Sequence, residues 1–96
     1  MNILGDIGNT ETKLFLISSK NKLLKNITFQ SKTINEKNLN TKLKVLRKDY
    51  KKIKKILFCS VVPKNFYIIK RFFSKKVKCK CYEIKELDIK SLIKKA

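Results

Sequence analysis

The sequence contains no histidine and no tryptophan, and it has only two glycines and one proline. Without an imidazole, it has neither histidine-based acid–base catalysis nor a Ser-His-Asp triad. Its cysteines, Cys59, Cys79 and Cys81, are odd in number and lack a CxxC spacing, which argues against a zinc site. Because Cys79 and Cys81 alternate with lysines as positions on one strand face do, we interpret the cysteines as reduced core residues.

Acidic residues are also scarce, with 7 Asp and Glu against 25 Lys and Arg and a formal net charge of +18. Of the basic residues 23 are lysines spread along the chain, and 43 of the 96 residues are Lys, Ile or Asn, whose codons are A/T-rich. Nucleic-acid recognition favours arginine, and only Arg47 and Arg71 are present. We therefore interpret the charge as solvated surface and expect no specific nucleic-acid partner.

No uncharged apolar stretch approaches the roughly 18 residues of a membrane span. The first residues run directly into Asp6 without the basic and apolar regions of a secretory signal. We expect a cytoplasmic location and no membrane partner. No Pro/Ser/Gly linker or shift in composition interrupts the chain, so we expect a single domain over residues 1–96.

Hydrophobic periodicity predicts three strands at the start, forming an antiparallel meander over Asn2–Ile7, Thr12–Ser18 and Lys22–Gln30. The period then changes. Apolar residues at spacings of four and three from Leu39 to Ile53 predict a helix. Thr33 or Asn35 could cap this helix, and Glu36 would lie in its first turn.

The second half alternates strands with helices. The apolar run Lys55–Val62 is typical of a strand buried on both faces, and Pro63 suits the first turn of a helix carrying Phe66, Ile69 and Phe73. A fifth strand over Val77–Ile84 and a third helix over Glu86–Lys95 follow. The order βββαβαβα predicts an α/β fold with a mixed five-stranded sheet. It resembles the ribonuclease-H-like core of the actin, hexokinase and Hsp70 ATPases, which implies the strand order 3-2-1-4-5.

Unusual residue types crowd into the segment after the first strand, Asp6–Lys13 (DIGNTETK), and both glycines, Gly5 and Gly8, lie in or beside it. Glycine in such a turn permits positive φ and leaves backbone N–H groups accessible. With the amide of Asn9, the hydroxyl of Thr10 and the ammonium of Lys13, these groups suit a triphosphate. Asp6 can hold Mg²⁺ directly or through water. A plain Gly-Asn hairpin whose aspartate caps the turn is the alternative.

The Asp6–Thr10 string, the following Lys13 and the Ser60–Pro63 string (SVVP) together resemble the N-terminal half of the type III pantothenate kinases. The resemblance implies an ATP-phosphate loop, with Asp6 as the metal ligand, and a substrate-proximal segment at the carboxyl end of a central strand. A core strand stopped by proline is the alternative for that segment. The loop would comprise Asp6, Ile7, Gly8, Asn9, Thr10, Glu11, Thr12 and Lys13, and the segment Ser60, Val61 and Val62.

The resemblance further implies ATP-dependent phosphorylation of pantothenate to 4′-phosphopantothenate, the first step of coenzyme A synthesis. It implies Mg²⁺, a monovalent cation (K⁺ or NH₄⁺) and a homodimer. The family's proposed catalytic aspartate lies in a G-A-D-R motif, which this chain lacks. We therefore expect a truncated chain without its second domain, with the catalytic residue beyond Ala96. None of the other acidic candidates for the base, Asp49, Glu83, Glu86 and Asp88, lies in a family motif.

Two alternatives remain open from the sequence. The first is a non-catalytic relative that acts as a transcription accessory protein, since the same sequence family includes such proteins. The second is a small basic nucleic-acid-binding module in which Tyr67, Phe72 and Phe73 stack on bases.

Overall fold

A computed structural model of the chain describes residues 1–77, 79 and 81–84. These residues form one five-stranded sheet in the order β3-β2-β1-β4-β5. The first three strands are antiparallel, whereas β4 runs parallel to both β1 and β5. The strands are β1 (Asn2–Ile7), β2 (Glu11–Ile17), β3 (Leu23–Gln30), β4 (Lys55–Ser60) and β5 (Cys81–Glu83). The predicted fold class and strand order are confirmed.

The helical segment after β3 differs from the single helix predicted. A short 3₁₀ turn, Ser31–Thr33, leads to α1 (Glu36–Lys42), and a 3₁₀ helix, Leu43–Lys52, follows directly. Asn35 caps α1, since its side-chain oxygen accepts a hydrogen bond from the amide of Asn38 at 2.8 Å. The buried residues of the 3₁₀ helix recur every third position, at Leu43, Leu46 and Asp49, which is the repeat of a 3₁₀ helix rather than of an α-helix.

The third of these buried positions carries a carboxylate. Asp49 is 6% exposed, and its Oδ2 lies 3.5 Å from Nζ of Lys25 on β3. The same ammonium donates to the carbonyl of Val45 at 2.8 Å. Lys25 therefore ties the 3₁₀ helix to the sheet, and Asp49 is not an accessible base.

The main core lies between one face of the sheet and the helices. Phe58 of β4 is fully buried and contacts the rings of Phe66 and Phe73 on the second helix, α2 (Pro63–Lys76). On β1, directly opposite Phe58, stands Gly5. A Cβ at Gly5 would clash with the Phe58 ring, so glycine is required here by close packing.

The second half of the chain confirms the predicted alternation of strands and helices, but its two strands are shorter than predicted. β4 ends at Ser60 rather than Val62, and only one of its faces, that of Ile56 and Phe58, is fully buried. Pro63 begins α2, as predicted. The fifth strand covers three residues rather than Val77–Ile84. Val77 instead ends α2, and its N–H is bonded to the carbonyl of Phe73.

The predicted third helix, Glu86–Lys95, lies outside the described residues. Within the described ranges, no helix has the length and apolar character needed to cross a membrane.

Candidate nucleotide-phosphate site

The turn between β1 and β2 lies at the end of the sheet where the parallel strands β1 and β4 finish. It comprises Gly8, Asn9 and Thr10, and the N–H of Gly8 donates to the carbonyl of Glu11 at 3.0 Å. Asn9 and Thr10 are exposed. Ligands of open α/β sheets bind at the carboxyl ends of parallel strands, and the turn has that position.

The turn does not use the positive φ that glycine permits, because neither Gly5 nor Gly8 has a positive φ. Gly8 is required for a different reason. A Cβ at Gly8 would lie 2.9 Å from the carbonyl oxygen of Glu11. The same oxygen accepts the hydrogen bond that closes the turn. Gly5 serves the core, as described above.

The second predicted segment lies beside the first. The N–H of Val61 donates to the carbonyl of Ile7 at 3.0 Å, and the Cα atoms of Ser60 and Ile7 are register partners. The hydroxyl of Ser60 accepts the N–H of Val62 at 3.0 Å. Since Val62 immediately precedes α2, the positive end of that 14-residue helix's dipole lies at the same edge of the sheet as the turn.

Two opposite charges stand next to the turn. Asp6 is half-buried at the penultimate position of β1, and its register partner on β2 is the exposed Lys13. Both lie on the sheet face opposite the main core. Among the described residues neither side chain has an ion-pair or hydrogen-bond partner, so both groups can meet a ligand.

The remaining members of the predicted loop divide by exposure. The side chains of Ile7 and Thr12 are 1% and 0% exposed, so they can contribute only backbone groups to a ligand. Asn9, Thr10, Glu11 and Lys13 are exposed. In the second segment Ser60 and Val62 are half-buried, and Val61 is 62% exposed.

Two buried polar residues that the sequence reasoning missed hold the turn from behind. Ser31 follows β3 and donates its hydroxyl to the carbonyl of Gly8 at 2.6 Å. Asn65, in the first turn of α2, donates its side-chain amide to the carbonyl of Ser31 at 2.9 Å. A signal for Asn65 was present, since it precedes the buried Ile69 by four positions and so occupies the apolar face of the helix.

The three cysteines are reduced and form no disulfide bond, and the described part of the chain holds no group of three metal-ligating side chains. Burial raises the pKa of Cys81 to about 11, with Cys79 adding to the shift and Lys70 opposing it. Such a thiol is protonated at neutral pH and a poor nucleophile.

Two of the three aromatic residues on which the nucleic-acid-binding alternative depends are buried. Phe72 and Phe73 are 2% and 0% exposed, and only Tyr67, at 64%, could stack on a base.

Comparison with known proteins gives one consistent result. A sequence model of the type III pantothenate kinase family matches residues 2–96. The chain is 51% identical over 94 residues to a protein of Pelagibacter ubique (strain HTCC1062) named type III pantothenate kinase. The chain belongs to the type III pantothenate kinase family. The aligned region covers 98% of this chain and 38% of that relative.

In this member of the type III pantothenate kinase family, the two predicted segments lie side by side. They are separated by nearly fifty residues of sequence, yet the Val61–Ile7 hydrogen bond joins them at one edge of the sheet. The chain spans 38% of the relative's length.

Proposed function

We propose that this chain supplies the ATP-phosphate-binding part of a pantothenate kinase, which phosphorylates pantothenate to 4′-phosphopantothenate at the start of coenzyme A synthesis. The observation that carries the proposal is the junction of the Asp6–Lys13 turn with the Ser60–Val62 segment. Family membership supports the same reaction.

The chemistry of the turn suits a polyphosphate. Among the described residues, the backbone amides of Asn9 and Thr10 have no hydrogen-bond partner, and both residues are exposed. Their N–H groups can donate to phosphate oxygens, as amides in such turns do. The ammonium of Lys13 adds a positive charge, and the N-terminus of α2 lies close by.

Asp6 fits the role of metal ligand. Mg²⁺ in phosphotransferases is commonly held by one or two carboxylates together with substrate phosphates and waters. A single accessible carboxylate beside the turn therefore suffices, and no closed cage of protein ligands is needed. When bound, Mg²⁺ would neutralise charge on the phosphates of ATP. Asp6 would hold it on the sheet face shared with Lys13.

The finer features implied by the family remain proposals. They are a requirement for K⁺ or NH₄⁺, a homodimer, a cytoplasmic location and the absence of specific nucleic-acid binding. We assign no described residue to a monovalent cation and none to the catalytic base, which we place in the part of the kinase that this chain does not span.

A chimera tests the proposal. The 94 residues of this chain that align with the Pelagibacter ubique relative replace the matching segment of that protein, and pantothenate phosphorylation is measured with the relative as the positive control. We expect the chimera to turn over and the 96-residue chain alone to show no activity, because phosphoryl transfer needs both substrates positioned. A folded but inactive chimera would contradict the proposal, and comparable turnover by the chain alone would contradict the placement of the base.

A further inference from the structure

Ser31 forms two hydrogen bonds with the phosphate turn, although it lies in neither of the two sequence motifs. It follows β3 directly and is 3% exposed. Its backbone N–H donates to the carbonyl of Thr10 at 2.9 Å, and its hydroxyl donates to the carbonyl of Gly8 at 2.6 Å. One residue thus holds two of the three residues that form the turn.

The direction of the hydrogen bonds follows from counting protons. The Ser31 hydroxyl has one proton, which is used on the Gly8 carbonyl. The 2.9 Å contact between Thr12 Oγ1 and Ser31 Oγ is therefore donated by Thr12. Thr12, Ser31 and Gly8 form a directed chain of two hydrogen bonds, the first buried and the second partly buried, that ends on the turn.

The hydrogen bonds occupy most carbonyls of the turn and leave the N–H groups of Asn9 and Thr10 without a partner among the described residues. The carbonyls of Ile7, Gly8, Thr10 and Glu11 accept from Val61, Ser31, Ser31 and Gly8 respectively. Four of the five carbonyls from residue 7 to residue 11 are thus occupied. An anion is repelled by free carbonyl oxygens and bound by free N–H groups, so this arrangement favours phosphate.

Asn65 connects this network to α2. Its side chain is largely buried, at 7% exposure, and donates to the carbonyl of Ser31 at 2.9 Å. Its backbone N–H donates to the carbonyl of Val62 at 3.1 Å. The helix α2 begins directly after the Ser60–Val62 segment. Through Asn65 it therefore also positions Ser31, the residue that binds the Asp6–Lys13 turn.

We propose that Ser31 and Asn65 are positioning residues for ATP. Ser31 binds the carbonyls of Gly8 and Thr10 and so presents the amides of Asn9 and Thr10 to the phosphates, while Asn65 holds Ser31 in place from α2. This proposal rests on the proposed function of the turn, and neither residue is assigned a contact with ATP.

The test uses Mg-ATP binding to the chain, measured by calorimetry, with folding monitored by far-UV circular dichroism and thermal unfolding. Ser31→Ala should weaken Mg-ATP binding about five- to twentyfold, the range expected when a buried hydrogen bond to the turn is lost. Ser31→Thr retains the hydroxyl and should bind within about threefold of the parent. Asn65→Ala should weaken binding about two- to fivefold, since the contacts of Ser31 with the turn remain.

Thr33→Ala is the matched control, because the exposed Thr33 hydroxyl donates at 3.0 Å to the carbonyl of Gln30 in the same turn without contacting the phosphate loop. Its affinity should equal that of the parent. Amide hydrogen exchange provides a second readout independent of ATP, and exchange at Gly8, which donates to Glu11, should become faster in Ser31→Ala.

The outcomes separate the two proposals. If the parent binds Mg-ATP and a folded Ser31→Ala binds equally well, the positioning role is overturned while the phosphate site stands. If the parent does not bind Mg-ATP, the phosphate site is overturned and the positioning role with it. If Ser31→Ala and Asn65→Ala both fail to fold, the two residues belong to the core and the positioning role is overturned.

Discussion

Asp6 and Lys13 stand opposite each other on β1 and β2, on the sheet face away from the main core. Opposite charges at directly opposed positions of neighbouring strands attract each other, yet neither side chain forms an ion pair within the described part of the chain. Under the proposed function, a Mg²⁺-bound polyphosphate would satisfy both groups at once, with the metal on the carboxylate and phosphate oxygens on the ammonium. We therefore expect the turn to prefer a metal-bound nucleotide.

Replacing the carboxylate tests that expectation. Asp6→Asn should weaken Mg-ATP binding at least about tenfold, because the amide is uncharged and a poor Mg²⁺ ligand. It should weaken metal-free ATP binding little or not at all. Calorimetry with Mg²⁺ and with EDTA measures both, and Glu36→Gln, an exposed position in α1, is the charge-matched control. Equal losses with and without metal would remove Asp6 from the metal site.

The glycine opposite Phe58 carries a stability prediction. Gly5→Ala should lower the free energy of unfolding by about 2–3 kcal/mol, because its methyl group overlaps the Phe58 ring. Combining it with Phe58→Leu should cost less than the sum of the two single losses, since the smaller side chain makes room. Urea unfolding of the four proteins completes the cycle. Additive losses would show that the clash is relieved elsewhere.

The ion pair between Lys25 and Asp49 of the 3₁₀ helix gives a second stability prediction. Lys25→Met should lower the free energy of unfolding by about 1–2 kcal/mol, because it leaves the buried carboxylate of Asp49 without its partner. Lys75→Met is the matched control, since Lys75 pairs with Glu36 at 3.4 Å between two exposed side chains. That exposed pair should contribute close to nothing. Equal losses in both variants would contradict the importance of burial.

The raised pKa of Cys81 predicts a loss of stability in alkali. An acid whose pKa is higher in the folded than in the unfolded state keeps its full contribution to stability below the unfolded pKa, near 9, and loses it as the pH rises towards 11. Urea midpoints should fall across this interval and fall less in Cys81→Ala. Identical declines in the two proteins would contradict the role of this thiol.

The sequence predicted the strands of the meander and offered Asn35 as one of two caps for α1, because these features depend on local signals. The strand order, in contrast, came from the resemblance to the ribonuclease-H-like core. The third strand alternates in period two, and Asn35 precedes Glu36 in a capping pattern. The sequence did not predict the 3₁₀ helix, because the spacings of four and three from Leu39 to Ile53 are those of an α-helix. The 3₁₀ helix also forms a contact that no local spacing encodes, between Asp49 and the distant Lys25.

The candidate site was predicted as a string of residues, but its support was not. The motif included Asp6 and Lys13 because their types and spacing carry the chemistry. Ser31 lies nineteen positions beyond its partner Thr12, and the hydrogen bond between them depends on how β3 returns along β2. Asn65 lies a further thirty-four positions along the chain from Ser31. Only the fold brings these residues to the turn.

The most direct test of a phosphate site at the β1–β2 turn is an amide NMR titration of the chain with Mg-ATP. We expect saturable shifts concentrated at Gly8–Thr12 and at the backbone amides of Val61 and Val62, with Lys20–Lys22 in the opposite hairpin turn unaffected. Small shifts spread over the many exposed lysines, and abolished by about 0.3 M salt, would instead indicate non-specific attraction to a basic surface and contradict the account.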